Sequence, residues 1–498
     1  MRSLERAIAQ RVPVAGLEAT SPLNGLRRRR AGGIDVVAQS VAAVAPAGVA
    51  LVNPGVVGDQ AGGFATIAMA ATIVVVVLLA ATISVFARRI ASTGSLYTFA
   101  VRGLGRTAGI VTGAALGLGY AGIALGCLLD SARRIATLLA GGTPPPWLAA
   151  VLVVGFAAFV AVVVMRGVRI STRVLLVVEA IGMIAIVAVA VTVFAAHGWN
   201  LSALVPRMDA GIDLDAVLSG MAVGLIAFVG FESGVALGPE TRRPLATVPR
   251  ALLWTVVAVC LSYLIGASAH TVGSASSGAG AAASGGSAGG SSGGSDIALA
   301  AIGEAVGWRG IGPLVEVIVA LSFLACTLAT TTALVRLTFV MSREGLLPGL
   351  FGRTGSRGTP ARGGAVITAA VAVIPLAAVL VAPLDPAVDR AADTVSVIGY
   401  TLAYLLVALA APAFLLRIGE FRWISALPAA LVGAALAATL VHYVVVPPRG
   451  DVATMWASVA LIAGVAVALL VRARHPGVAG RLGMYDSPVT ADTIGGQT

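Results

Sequence analysis

The stretch Ala227-Phe228-Val229-Gly230-Phe231-Glu232-Ser233-Gly234 decides how this chain folds, together with Pro239-Glu240-Thr241-Arg242-Arg243-Pro244 and Val248-Pro249-Arg250 just after it. An apolar segment interrupted by Gly, Glu, Ser and Gly makes a poor continuous helix, and a carboxylate inside lipid is costly. Such a break is tolerated in a membrane helix only where protein or a water-filled cavity takes up the freed backbone groups. A second break is read at Ala45-Pro46-Ala47-Gly48, with Pro54 beyond it. Two interrupted spans at corresponding places in two halves of a chain are the sequence pointer to a transporter binding site.

The rest of the composition agrees. A 58% hydrophobic content, 11% charged residues and a mean hydropathy of +0.97 exclude an ordinary soluble domain. Twelve spans of about 20 residues each fit the length. They are expected at 35–57, 61–86, 107–129, 147–165, 172–196, 214–238, 249–272, 310–340, 364–383, 393–416, 423–446 and 453–471. This gives an all-α integral membrane protein. Residues 1–34 form a cytoplasmic tail, 35–197 a first repeat, 212–417 a second repeat, 421–472 two appended spans, and 473–498 a second cytoplasmic tail. Residues 273–295, almost wholly Gly, Ser and Ala, are expected to be a floppy outside loop.

All 33 basic residues are Arg. With the N-terminus inside, 27 of them fall on the cytoplasmic side. Only Arg133, Arg134, Arg207, Arg309, Arg390 and Arg449 are assigned to outside loops. That asymmetry sets the orientation in a plasma (inner) membrane, with both termini cytoplasmic. The net charge of +11 is thereby read as topology, with the lipid bilayer rather than nucleic acid as its partner. Cys127, Cys260 and Cys326 fall inside spans and read as buried small residues. His197, His270, His442 and His475 are dispersed, so neither a metal site nor a catalytic cluster is expected and no cofactor is implied. Gly105, Gly109, Gly113 and Gly117 line one face of the third span and predict close helix packing.

Several of these motifs resemble the amino acid–polyamine–organocation superfamily. The run Ala227 to Arg250 is similar to its sixth-span signature, a Gly-aromatic-Glu-Ser run ahead of a Pro-Arg loop. Phe86 to Arg89, Gly94 to Thr98 and Arg102 to Gly105 resemble its loop after span two. Arg336, with Met341 to Pro348 and Thr359-Pro360, resembles the end of span eight and its trailing loop. The resemblance implies a leucine-transporter-type 5+5 inverted repeat with broken first and sixth helices. It implies a permease for amino acids, with polyamines or cationic amino acids as the alternative and a non-transporting nutrient sensor as a lesser one.

On that reading the substrate carboxylate meets free N–H groups at Ala47 and Gly48, beside Pro46, which has none. The substrate ammonium meets free carbonyls at Ile226, Val229 and Gly230. Phe231 and Glu232 match the family's gate, with Glu232 alternatively a structural acid bonded to backbone amides of a neighbouring helix. Glu179, where some relatives place a Lys, is a second intramembrane carboxylate that suits a proton. Proton coupling is therefore expected. Sodium is the alternative, with Ser322, Thr327 and Thr330 as candidate oxygens. The pocket lining of Ala, Gly, Val and Ile suits a small or apolar amino acid. The broken first and sixth spans also share a weak motif: Gly48-Val49-Ala50-Leu51 and Gly234-Val235-Ala236-Leu237 each follow a break.

Overall fold

The computed structural model describes residues 23, 26, 28–61, 64–196, 213–277, 310–355, 358–381, 387–445 and 482–486, with scattered positions between 459 and 473. Its helices are α1 (Gly33–Val44), α2 (Pro46–Ala61), α3 (Ala65–Ala87), α4 (Leu96–Leu104), α5 (Arg106–Ala140), α6 (Pro146–Arg166) and α7 (Val168–Ala196). After them come α8 (Leu214–Ala227), a 3-10 helix (Phe231–Glu240), α9 (Pro244–Ser277), α10 (Ile311–Arg343), α11 (Ala361–Val381), α12 (Ala387–Arg417) and α13 (Trp423–Val445). Among the described residues the extended structure is one parallel bridge between Ala31 and Thr241.

Among the described residues, ten helical stretches are long and apolar enough to cross a membrane, and they overlap the first ten expected spans. The eleventh corresponds to α13, whose described apolar part is the shorter Ala426–Val441. The twelfth, 453–471, falls largely outside the described residues. So does most of the Gly/Ser-rich loop, although α9 continues to Ser277 and takes in its first residues.

Two kinds of helix are present. In α6 and α7 the apolar side chains point outward as well as inward, with Val151 60% exposed and Ile184 71% exposed. A helix apolar all round has no water-facing side, which suits contact with lipid tails. The broken pair is the opposite. The stretch Gly33–Gly58 is mostly buried, and every residue of the 3-10 helix is buried. Helices α5 and α10 pack extensively against each other, α12 also packs on α5, and all three touch the broken segments.

Of the four third-span glycines, Gly109 and Gly113 bring α4 close, Gly117 faces α10 at ordinary contact distance, and Gly105 faces open space. A Cβ at Gly109 would lie 2.1 Å from Val101 Cγ2, and one at Gly113 would lie 2.8 Å from the Tyr97 ring.

Arg133 and Arg134 differ from the loop assignment. Helix α5 runs past them to Ala140 and both are buried. Arg133 pairs with Asp389, while Arg134 pairs with Asp130 at 2.7 Å and Glu316 at 2.8 Å. Those carboxylates supply the charge and hydrogen bonds that make a buried guanidinium tolerable. At the other end of α10, Arg336 pairs with Glu240 at 2.9 Å.

At the arginine-rich end of the bundle, residues 29–31 and 483–486 dock against the helices and loops. On the N-terminal side, Arg29 N donates to Pro239 O (3.2 Å) and Ala31 N to Glu240 O (2.7 Å). The expected C-terminal tail is docked at residues 482–486. Arg102 Nη2 donates to Gly483 O (2.9 Å), Met484 N to Glu344 Oε1 (2.6 Å), and Ser92 Oγ to Met484 O (2.9 Å). Arg102 also lies over the Tyr485 ring, 4.5 Å from its centroid. An ion pair between Arg28 and Asp486 at 2.9 Å joins the two termini.

Candidate functional site

The first break follows from Pro46. It has no N–H to continue the ladder of α1, and it disfavours helical backbone at the residue before it. Ala45 accordingly adopts a left-handed conformation (φ 52°, ψ 52°), with its N–H on Ala42 O at 3.1 Å. A non-glycine residue there costs about 1–2 kcal/mol, and such strain collects at functional sites. Pro46 then opens α2, whose first N–H groups have no intrahelical acceptor.

Those N–H groups are the expected carboxylate donors, but in this structure they are occupied. Ala47 N donates to Glu179 Oε2 at 3.4 Å and Gly48 N to Ser322 Oγ at 3.0 Å. Ser322 Oγ in turn donates to Glu179 Oε1 at 2.8 Å. A side-chain carboxylate from α7 thus occupies the place where a substrate carboxylate was expected. Its approach depends on Gly182, because a Cβ there would lie 2.3 Å from Ala47 Cβ. The Phe323 ring covers the same spot, 2.9 Å from a Cβ built on Gly48.

The second break lies between α8 and the 3-10 helix. Phe228 N and Val229 N turn back onto Leu225 O and Ile226 O, both at 3.1 Å. Gly230 then reverses the chain at φ 98°, and Ser233 N bonds Gly230 O at 2.9 Å to start the 3-10 helix. The carbonyls of Ile226 and Gly230, expected to be open, therefore already accept bonds within the turn. Gly230 also lies directly on the first break, since a Cβ would come 2.7 Å from Ala43 O. That contact places the two breaks side by side. Further ties join them: Ser233 Oγ donates to Gln39 O (3.2 Å) and Gly234 N to Ser40 Oγ (3.1 Å).

Glu232 is fully buried, and its oxygens accept from tyrosine hydroxyls rather than from backbone amides of a neighbouring helix. Tyr120 Oη donates to Oε1 at 2.9 Å, and Tyr404 Oη donates to Oε2. Tyr404 Oη also accepts from Gly230 N at 3.4 Å, and the Phe231 ring lies 5.8 Å from the Tyr404 ring. An apolar void of about 10 Å³ adjoins this group, lined by Ile226, Val229, Phe231, Thr401 and Tyr404 among others. The expected site residues thus divide into two sets. Pro46, Ala47 and Gly48 gather with Glu179 and Ser322, whereas Ile226, Val229, Gly230, Phe231 and Glu232 gather with Tyr120 and Tyr404.

The candidate sodium oxygens do not act together. Thr327 Oγ1 donates to Phe323 O (3.0 Å) and Thr330 Oγ1 to Cys326 O (2.7 Å), back-bonds to their own helix. The cysteines are unpaired, and the Cys326 thiol donates to Ala43 O at 3.1 Å. Tyr120, Tyr404 and Phe323 were not anticipated. Aromatics are only 5% of this chain, so a tyrosine inside an apolar span was the available signal.

Two broken helices, their unsatisfied ends met by side chains from four other spans, inside a bundle of membrane-length helices, define a multi-pass membrane transporter. Comparison with known proteins makes this specific. The family model described as amino acid permease matches residues 35–467. The branched-chain amino acid permease BcaP of Bacillus subtilis (strain 168) is 22% identical over 67% of this chain and 71% of its own length. The methylthioribose transporter of the same organism is 24% identical over 70% of this chain and 74% of its own. BcaP of Lactococcus lactis subsp. cremoris is 27% identical over 44% of each chain. The chain belongs to the amino acid permease family, within the amino acid–polyamine–organocation superfamily, and is a transporter rather than an enzyme.

Proposed function

We propose that this permease carries a small or branched apolar amino acid across the plasma membrane by alternating access, driven by protons. The observation that carries the reading is the group Ala47–Gly48–Glu179–Ser322. It holds a buried carboxylate against the N-terminus of α2, and among the described residues no cation pairs with it. A carboxyl so placed, facing the point where a substrate carboxylate would dock, can exchange its hold on Ala47 for a proton when substrate arrives. Ser322 is engaged with Gly48 and Glu179, and Thr327 with the carbonyls of Phe323 and Ala124, which favours protons over sodium.

Glu232 has both oxygens on tyrosine hydroxyls, so it is poorly placed to receive an extra cationic group; this supports a neutral substrate over a cationic amino acid or polyamine. Its link to Gly230 through Tyr404, with Phe231 alongside, suits a gate that reports the state of the second break. The names of the branched-chain permeases among the relatives agree with an apolar substrate. The fold reading is twelve spans in a 5+5 inverted repeat, with the arginine-rich end and both termini cytoplasmic.

Proteoliposomes test the proposal. Labelled leucine or valine is expected to accumulate under an inward proton gradient, not under a sodium gradient, and Glu179→Gln is expected to abolish the proton dependence. Competition by methylthioribose but not by leucine would replace the substrate reading, and binding without accumulation would make the protein a sensor.

A further inference from the structure

We propose that a cleft at the arginine-rich end, distinct from the helix breaks, binds the headgroup of an anionic phospholipid. The cleft has a volume of about 730 Å³ and lies where the end of α3 meets α9, α12 and the start of α13. Its lining joins two chemistries. Val85, Leu253, Leu415, Phe421 and Pro428 give apolar walls, while Arg88, Arg89 and Arg422 supply positive charge. Glu420 is the opposing carboxylate in the lining, and it is engaged by Arg89. Arg88 and Arg422 are exposed, and among the described residues neither guanidinium has a carboxylate partner. The cleft therefore retains two uncompensated positive charges beside apolar walls.

A second, independent feature points to a ligand. Ser84 lines the same cleft and is 3% exposed, yet its hydroxyl meets no protein hydrogen-bond partner. A buried hydroxyl is almost always partnered, and here a phosphate oxygen in the cleft would serve as acceptor. The surroundings argue for a lipid rather than a free anion. Trp423 (82% exposed) packs edge-on against the lining Phe421 ring, centroids 5.3 Å apart, and the exposed Ile424 (87%) and Trp254 (67%) follow Trp423 and the lining Leu253 in sequence. Exposed tryptophans in a membrane protein mark the headgroup level, where apolar neighbours meet acyl chains. Basic pockets between helices at this depth suit anionic headgroups. This site does not rest on the transport reading above.

The test is a lipid titration of the purified full-length protein in detergent micelles, read by native mass spectrometry and by thermal shift. Dioleoyl-phosphatidylglycerol is expected to bind saturably and raise the melting temperature. Dioleoyl-phosphatidylcholine and inorganic phosphate are expected to do neither. The double variant R88Q/R422Q is expected to bind phosphatidylglycerol about thirtyfold more weakly, at about 1 kcal/mol per arginine. R422Q alone, at an exposed position, keeps the test valid should the double variant misfold; it is expected to weaken binding about fivefold. R353Q/R362Q, two exposed arginines away from the cleft, should leave binding unchanged. Undiminished binding by R88Q/R422Q or R422Q overturns the proposal, as does an equal loss in R353Q/R362Q. Equal stabilisation by phosphatidylcholine or inorganic phosphate overturns it too.

Discussion

Gly230 carries two demands at once. Its φ of 98° lies where a side chain is strained, and the space a Cβ would need is taken by the Ala43 carbonyl at 2.7 Å. Neither obstacle yields easily, because the obstructing atom is backbone. Gly230→Ala is expected to cost at least about 1–2 kcal/mol from the conformation alone, with the two breaks pushed apart in addition. Lowered thermal stability together with reduced uptake is the expected result; a variant matching the parent in both would show that the breaks do not depend on each other. This residue was readable in the sequence, since Gly-Phe-Glu-Ser-Gly within an apolar run is hard to reconcile with an unbroken helix. Its partner Tyr404 was not, because 174 residues separate them and no local pattern marks the pairing.

At the scale of an element, α10 shows the same division. Its length and apolarity announce a span, but the uses of its hydroxyls depend on what lies opposite. Ser322 bridges Glu179 and Gly48, whereas Thr330 bonds back to its own helix. Ser322→Ala strands a buried N–H and a carboxylate oxygen, at a cost of about 1–3 kcal/mol. Thr330→Ala removes a back-bond that contributes little. Thermal unfolding of the two variants is therefore expected to separate them clearly, with Ser322→Ala the less stable; equal melting temperatures would remove Ser322 from the site. Helix α5 gives the complementary lesson. Adjacent arginines at 133 and 134 look forbidding inside a span, and they read as a loop. Asp130, four residues before Arg134, supplies one local counter-charge, but the others are Asp389 and Glu316, 256 and 182 residues away along the chain. Charge in a membrane helix can be judged only with its counter-charge in view.

For the molecule as a whole, Glu344 at the arginine-rich end is expected to make folding stability depend on pH. Glu344, just beyond α10, accepts from Met484 N and from the Tyr97 hydroxyl. Burial pushes its carboxyl up from 4.5 to about 7, against the hydrogen bonds from Tyr97 and Met484 and the charge of Arg102, which lower it. A raised folded value means that the folded state holds this proton more tightly than the unfolded chain. The resulting stabilisation is complete below about 4.5 and declines as pH climbs to about 7, after which it is lost. Melting temperature measured across that window is expected to fall in the parent protein and to flatten in Glu344→Gln; parallel curves would show that another group governs the response. The docking of residues 482–486 was invisible in the sequence, where Leu-Gly-Met-Tyr-Asp carries no motif. Its contacts reach Ala91, Ser92, Arg102 and Glu344, all brought together only by the finished bundle.

The Arg28–Asp486 pair also bears on how the protein is made. Synthesis delivers Arg28 before α1 and Asp486 only after α13, so every helix is already out of the ribosome when this clasp can close. The clasp therefore closes only after those helices have been made, and a chain stalled between α13 and Gly483 would lack the contacts that residues 483–486 give to Arg102, Glu344 and Arg28.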